Sequence, residues 1–199
     1  MPRIEPLAPD ANDFVERLIS KSSENMGFPA NSFLTMAHYP EMAEAFLQLA
    51  RVVNFGDTEL PVEIKRLVSY VASKSSGCQY CVAHTGFQAT RSGGISAEKM
   101  EAAWEYETSP LFTDAERAAL RVAQSAGTTP NAVTDGDFKE LKKHFTDRQI
   151  VELVGQISVF GFLNRWNDTM ATQLESVPIE YAEDHLAQSG WEVSKHTRK

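Results

Sequence analysis

The chain has 199 residues, 42% of them hydrophobic and 23% charged, a composition that suits one soluble domain with a sizeable core. Against 19 Lys and Arg stand 27 Asp and Glu, a formal charge of −8 with no basic stripe to offset it, which speaks against nucleic acid as a partner. No apolar run approaches the roughly 20 residues of a membrane span. The start Met1-Pro2-Arg3-Ile4-Glu5-Pro6 has no apolar leader core, so the expected location is cytoplasmic, away from membranes.

Phe14, Leu18 and Ile19 mark a first helix; Met42, Phe46, Leu49 and Val53 mark a second that opens with Pro40 in its first turn. After a turn signal at 54–58, Ile64, Leu67, Val68 and Val71 recur at i, i+3, i+4 and i+7, the stripe of an amphipathic helix that begins near Pro61 and runs toward Ser75. Ser75, Ser76 and Gly77 are cap and turn residues, and helix resumes from the cysteines to about Arg91, where Gly93-Gly94 ends it. Further turns are expected at 92–95, 108–110 and 127–131.

Thr113 with Glu116 and Thr146 with Gln149 have capping-box spacing, each just ahead of an apolar run. From Asp147 to about Met170 the pattern is apolar on more than one face, which predicts a core helix or a subunit interface. Alternating strand patterns of useful length are missing, so the expected class is all-α. The predicted organisation is a single domain over 1–199, with N-terminal helices in 1–57, a cysteine-bearing core in 58–108, a helical hairpin in 109–175 and a tail in 176–199. The first ten residues hold three prolines and the last fifteen are mostly polar, so both ends are expected to be loosely attached.

Cys78 and Cys81 are the only cysteines, and they lie in Ser75-Ser76-Gly77-Cys78-Gln79-Tyr80-Cys81-Val82-Ala83-His84. In a reducing compartment such a pair is more often catalytic or metal-binding than a structural staple. At a helix N-terminus the unpaired N–H groups and the dipole favour a thiolate, which singles out Cys78 as the more acidic thiol. Residues at i and i+3 adjoin, so the two sulfurs can close a disulfide with little backbone movement. His84, one turn beyond Cys81, is a candidate base or proton donor.

At about 100° per residue, with Cys78 at zero, Cys81 falls near about 300°, His84 near about 240° and Thr85 near about 340°, so Thr85 rather than His84 sits between the sulfurs. The rival readings are two cysteines packed as small hydrophobes, a purely structural His84, and zinc. Zinc would need a fourth ligand beside Cys78, Cys81 and His84; His38 and His144 show no ligand spacing, so no metal or other cofactor is expected. The cluster Asn164-Arg165-Trp166-Asn167 either lines a pocket near the thiols or, through Arg165, pairs with a carboxylate at an interface. Tyr80 is a candidate hydrogen-bond donor to a thiolate or substrate, or a packing residue.

The stretch from Leu60 to Phe87, with Pro61, the apolar helix and Gly77-Cys78-Gln79-Tyr80-Cys81-Val82-Ala83-His84, resembles the carboxymuconolactone decarboxylase and alkylhydroperoxidase D superfamily. The likeness continues through Phe112-Thr113-Asp114-Ala115-Glu116-Arg117 and from Ile150-Val151-Glu152-Leu153 to Phe162-Leu163-Asn164-Arg165-Trp166-Asn167, in the manner of its peroxidase-related branch, and covers roughly residues 40–175. The resemblance implies a helical bundle with the cysteine pair at the N-terminus of a core helix, assembled as a homotrimer or homohexamer. It further implies a thiol oxidoreductase that reduces peroxides, with Cys81 attacking, Cys78 resolving and an external thiol as reductant.

Two relay positions depart from that pattern. The glutamate usual twelve residues before the first cysteine is Arg66 here, with Glu63 one turn earlier as a candidate substitute, and the histidine usual four after the second cysteine is Thr85, with His84 one place early. The expected site is therefore Cys78, Cys81, His84 and Glu63. The alternatives are a redox-sensing or scaffold oligomer without efficient turnover and a lactone decarboxylase-like enzyme, for which the cysteine pair is the wrong signature.

Overall fold

The computed structural model describes residues 2–197; among these there are ten α-helices, short 3-10 turns and no strand, as the missing alternation predicts. Helix α1 (Asp13–Met26) starts where Asn12 Oδ1 accepts the Val15 N–H at 3.0 Å. Short α2 (Asn31–Met36) leads to α3 (Pro40–Phe55), whose first residue is the proline that needs no N–H partner there. Then α4 (Val62–Ser75) and α5 (Gln79–Ser92) form an antiparallel pair around the cysteine turn, and α6 (Ala97–Glu101) follows.

Both predicted capping boxes form, Thr113 with Glu116 opening α7 (Asp114–Gly127) and Thr146 with Gln149 opening α9 (Asp147–Met170). Between them the expected hairpin contains an extra helix, α8 (Asp135–Leu141). It is only two turns long, and its box pairs Thr134 with Asp137 instead of Glu or Gln, so its signal is weak.

Helix α4 is the hub. Its Leu67, Val68 and Val71 have no exposed surface and belong to one cluster with Val82 and Ala83 of α5, Ala119 and Leu120 of α7, and Leu153 and Ile157 of α9. Smaller clusters hold α1 to α2 and α3 to α9, the latter through Phe46 and Val159. Together they leave a cleft beside the cysteine turn. Among the described residues no helix is long and apolar enough to cross a membrane.

Helix α9 divides in an unexpected way. Its buried side carries the polar Gln156, Asn164 and Asn167, while Val151 is 71% exposed and Val154 and Phe162 are exposed too. The inward amide groups donate hydrogen bonds, Gln156 Nε2 to Ser69 Oγ at 2.8 Å and to Asn54 Oδ1 at 3.0 Å, although the amide oxygens of Gln156, Asn164 and Asn167 are buried without a partner.

Among the described residues both ends are anchored, which corrects an expectation. Arg3 N–H donates to Met170 O at 2.9 Å, and the presumed tail contains a further helix, α10 (Ser176–His185). Beyond it Leu186, Trp191 and His196 are buried; Trp191 Nε1 donates to Gln79 O at 3.0 Å, and Leu174 N–H donates to His196 O at 3.0 Å. Sparse apolar residues in a polar segment suffice when each reaches the core.

Candidate active site

The turn between α4 and α5 sets the thiols. Gly77 adopts φ +74°, a left-handed conformation that lets the Cys78 N–H return to Ser73 O at 3.2 Å. Cys78 thereby becomes the N-cap of α5, and its Sγ accepts the N–H of Cys81 at 3.4 Å. Both cysteines are free thiols, and both are buried.

They differ in what they face. Cys81 lines a cavity of about 410 Å³ bounded by α1, α2, α3, α4, α5 and α9, whereas Cys78 is not among the lining residues. Phe14, Phe33, Phe46 and Leu163 make much of the wall apolar, and Tyr80, His84 and Asn167 supply polar groups near the thiol. Burial pushes the Cys81 thiol well above the usual range, and the adjoining Cys78 adds to the rise. The amide of Asn167, which donates to Cys81 Sγ at 3.5 Å, pulls the other way. For Cys81 the loss of water outweighs any benefit from the helix end.

A second chain of groups runs from the cavity into the protein. His84 Nε2 lies 2.7 Å from Glu175 Oε2, and the Tyr80 hydroxyl donates to Glu175 Oε1 at 2.9 Å. The His84 and Tyr80 rings stack with centroids 4.3 Å apart. Since a carboxylate accepts, the proton on this bond sits on His84 Nε2, and Nδ1 has no hydrogen-bond partner among the described residues. Burial and the neighbouring Glu175 push the Tyr80 hydroxyl far up, so it stays protonated and holds the carboxylate in place.

Cys78 adjoins Cys81, and Cys81 and His84 line the same cavity, whereas Glu63 does not. Glu63 sits exposed in the first turn of α4, 3.8 Å from where a Cβ on Gly94 would lie, and it does not line the cavity. The carboxylate beside the histidine is Glu175, 91 residues further along the chain than His84. Thr85 also lines the cavity, but its hydroxyl donates to Cys81 O at 2.7 Å within its own helix. The polar cluster of α9 splits: Asn167 reaches the thiol, Asn164 donates to Ser76 Oγ at 3.3 Å, and Arg165 is exposed.

An all-helical domain with a cysteine pair at the start of a core helix, one thiol open to a largely apolar chamber, defines a helical dithiol protein. The chain belongs to the carboxymuconolactone decarboxylase and alkylhydroperoxidase D superfamily, and the carboxymuconolactone decarboxylase family pattern matches residues 40–125.

Among solved structures it is similar to the debrominase Bmp8 in its apo form, at 33% identity and a TM-score of 0.83 over 91% of this chain and 96% of that one. A cysteine-to-alanine variant of that debrominase in complex with 2,3,4-tribromopyrrole matches at 31% identity and a TM-score of 0.84. A peroxidase-related protein from Ralstonia eutropha JMP134 with an alkylhydroperoxidase core shares the fold at a TM-score of 0.74 and 24% identity, over 89% of this chain and 94% of that one. The uncharacterized YnjA of Escherichia coli K12 is 33% identical over 107 residues, which span 54% of this chain and 58% of that one.

Proposed function

We propose that the chain is a dithiol oxidoreductase for small, largely apolar electrophiles, in which Cys81 attacks within the cavity and Cys78 resolves from behind it. One observation carries this reading: of two touching buried cysteines, only Cys81 opens to the chamber. The more exposed thiol meets substrate first, and the hidden one meets only its partner.

With a peroxide, Cys81 thiolate attacks one oxygen and the O–O bond breaks. Sulfur becomes a sulfenic acid, and the departing alkoxide takes a proton from the His84 side of the chamber. Cys78 thiolate then displaces hydroxide from the sulfenic acid, which leaves as water once protonated, and the disulfide forms. An external thiol returns the two electrons.

A second electrophile, a halogenated aromatic, is supported by the likeness to the debrominase over most of the chain. Here Cys81 takes the halogen from carbon, the carbon keeps the bonding pair and gains a proton, and Cys78 displaces halide to give the same disulfide. Assembly as a homotrimer or homohexamer belongs to the proposal as well, supported by the apolar and exposed Leu49, Val52 and Phe55 on α3 and Val151 on α9.

The test mixes reduced protein, without other thiols, with one equivalent of cumene hydroperoxide or of a bromopyrrole, then counts free thiols and analyses alcohol and bromide. Both thiols of the wild type should disappear into one intramolecular disulfide with at least one of the two substrates, and Cys81→Ser should release no product. Thiols that persist with both substrates would overturn the proposal. Product formation that survives replacement of both cysteines would favour lactone chemistry instead.

A further inference from the structure

We infer that the chamber accepts an apolar molecule carrying one anionic group, a carboxylate in its simplest form, and that Arg66 receives that group. The inference rests on reading the cavity as the substrate chamber.

Arg66 lines the cavity from α4 and is half-buried. Its Nε is buried without a hydrogen-bond partner, and among the described residues its guanidinium is in no ion pair. Burial lowers its pKa, with no neighbouring carboxylate to offset the cost of the charge. Native interiors seldom leave a buried charged donor unmatched, and an incoming acceptor relieves the cost.

A second orphan donor belongs to the same cavity. Gln88 of α5 lines the cavity, and its Nε2 is also buried without a partner. The stem of Arg66 runs along the same helix pair: a Cβ on Gly93, at the end of α5, would lie 2.7 Å from Arg66 Cγ. Both residues line one cavity from adjoining helices, and a planar guanidinium fork free of any ion pair suits a carboxylate.

The wider electrostatics point the same way. In a chain of formal charge −8, the cavity walls carry Arg17, Lys21, Arg51 and Arg66 against Glu44. Among the described residues none of these four cations is in an ion pair, so the lining keeps an excess of positive charge, with Arg66 the only one of the four that is not exposed. A cleft lined by one sign of charge with apolar walls concentrates ligands of the opposite sign. The anion would sit at Arg66 and Gln88, and the apolar body would extend along Phe46 and Leu163 toward Cys81.

The experiment is a calorimetric titration of reduced protein with naphthalene-2-carboxylate and with its neutral isostere, naphthalene-2-carboxamide. Wild type should bind the carboxylate about 10- to 100-fold more tightly, the range of a hydrogen bond to a charged group. Arg66→Gln should abolish that preference while the carboxamide binds as before, which also reports an intact chamber.

Equal binding of the two probes by wild type, or an unchanged preference in Arg66→Gln, would overturn the inference. If Arg66→Gln does not fold, Arg66→Lys keeps the charge without the fork and must still weaken the preference; no weakening sinks the idea. Cys81→Ser should retain the preference. A lost preference with disulfide formation intact therefore removes this inference alone, and a retained preference without thiol oxidation removes the catalytic proposal alone.

Discussion

Glu175 Oε2 lies 2.7 Å from His84 Nε2, so a residue just ahead of α10 orients the histidine that faces the chamber from α5. The other oxygen of the same carboxylate accepts the Tyr80 hydroxyl at 2.9 Å and the Asn31 backbone N–H. An amide in its place has one acceptor and cannot serve all three donors. Glu175→Gln should therefore cut steady-state turnover about 100-fold, at the low end of what a positioned proton donor supplies. Alkylation of Cys81 by iodoacetamide, which needs no proton donor, should stay near the wild-type rate. Full turnover in Glu175→Gln would show that the triad is structural only.

Cys81 makes a prediction with a definite sign. Its thiol is held above the usual range, mainly by burial, so the thiolate fraction, and with it the alkylation rate, should keep rising tenfold per pH unit beyond the ordinary thiol pKa of about 8.5. Asn167→Leu removes the hydrogen bond that opposes the shift, raises the pKa further and should slow alkylation at any fixed pH. Mass mapping should find the label on Cys81 before Cys78. The same shift is a stability statement. A thiol with a raised folded-state pKa contributes fully below the unfolded value, and the contribution is lost as pH climbs toward the folded value. Above about pH 8.5 the wild type should lose up to about 1.4 kcal/mol per pH unit more than Cys81→Ala.

Unlike the shorter α2, α6, α8 and α10, the long helices α1, α3, α4, α5, α7 and α9, the Thr113 and Thr146 capping boxes and the placement of the cysteines were legible in the sequence because each is a local pattern. His84 was legible for the same reason. Glu175 was not: 91 residues separate it from His84, and nothing around it distinguishes it from other surface acids until α10 docks. Glu63 attracted notice by its spacing along a helix, yet the first turn of α4 projects it to solvent. Arg66 stood out only as a departure from a family pattern. That it lines the chamber depends on how α4 is rotated among α5, α7 and α9, which periodicity constrains only to a broad face.

Burial of the C-terminal segment has a measurable cost. Trp191 is 7% exposed, packs in the main core and donates to Gln79 O, a carbonyl in the first turn of α5. A loosely attached tail would tolerate Trp191→Ala almost without effect. The structure predicts a loss of about 3–5 kcal/mol for a large core aromatic truncated to alanine, readable as a lowered urea midpoint with an unchanged slope. Trp191→Phe keeps most of the packing but not the donor and should cost about 1 kcal/mol.

Gly77 offers a way to separate the geometry of the thiol turn from its chemistry. Its φ of +74° is strained for any residue with a Cβ, yet a Cβ built there meets nothing within 4 Å. The cost of substitution is therefore conformational, not steric. Gly77→Ala should lose about 1–2 kcal/mol, Gly77→Asn less, because asparagine tolerates the left-handed region, and Gly77→Val more, because its branched Cβ resists it. If the turn only positions Cys78, all three should still form the intramolecular disulfide at temperatures where they remain folded, and thermal unfolding should rank them Asn, Ala, Val. A ranking that follows side-chain volume would instead mean that the turn is crowded, for instance by a second copy of the chain over this end of α5.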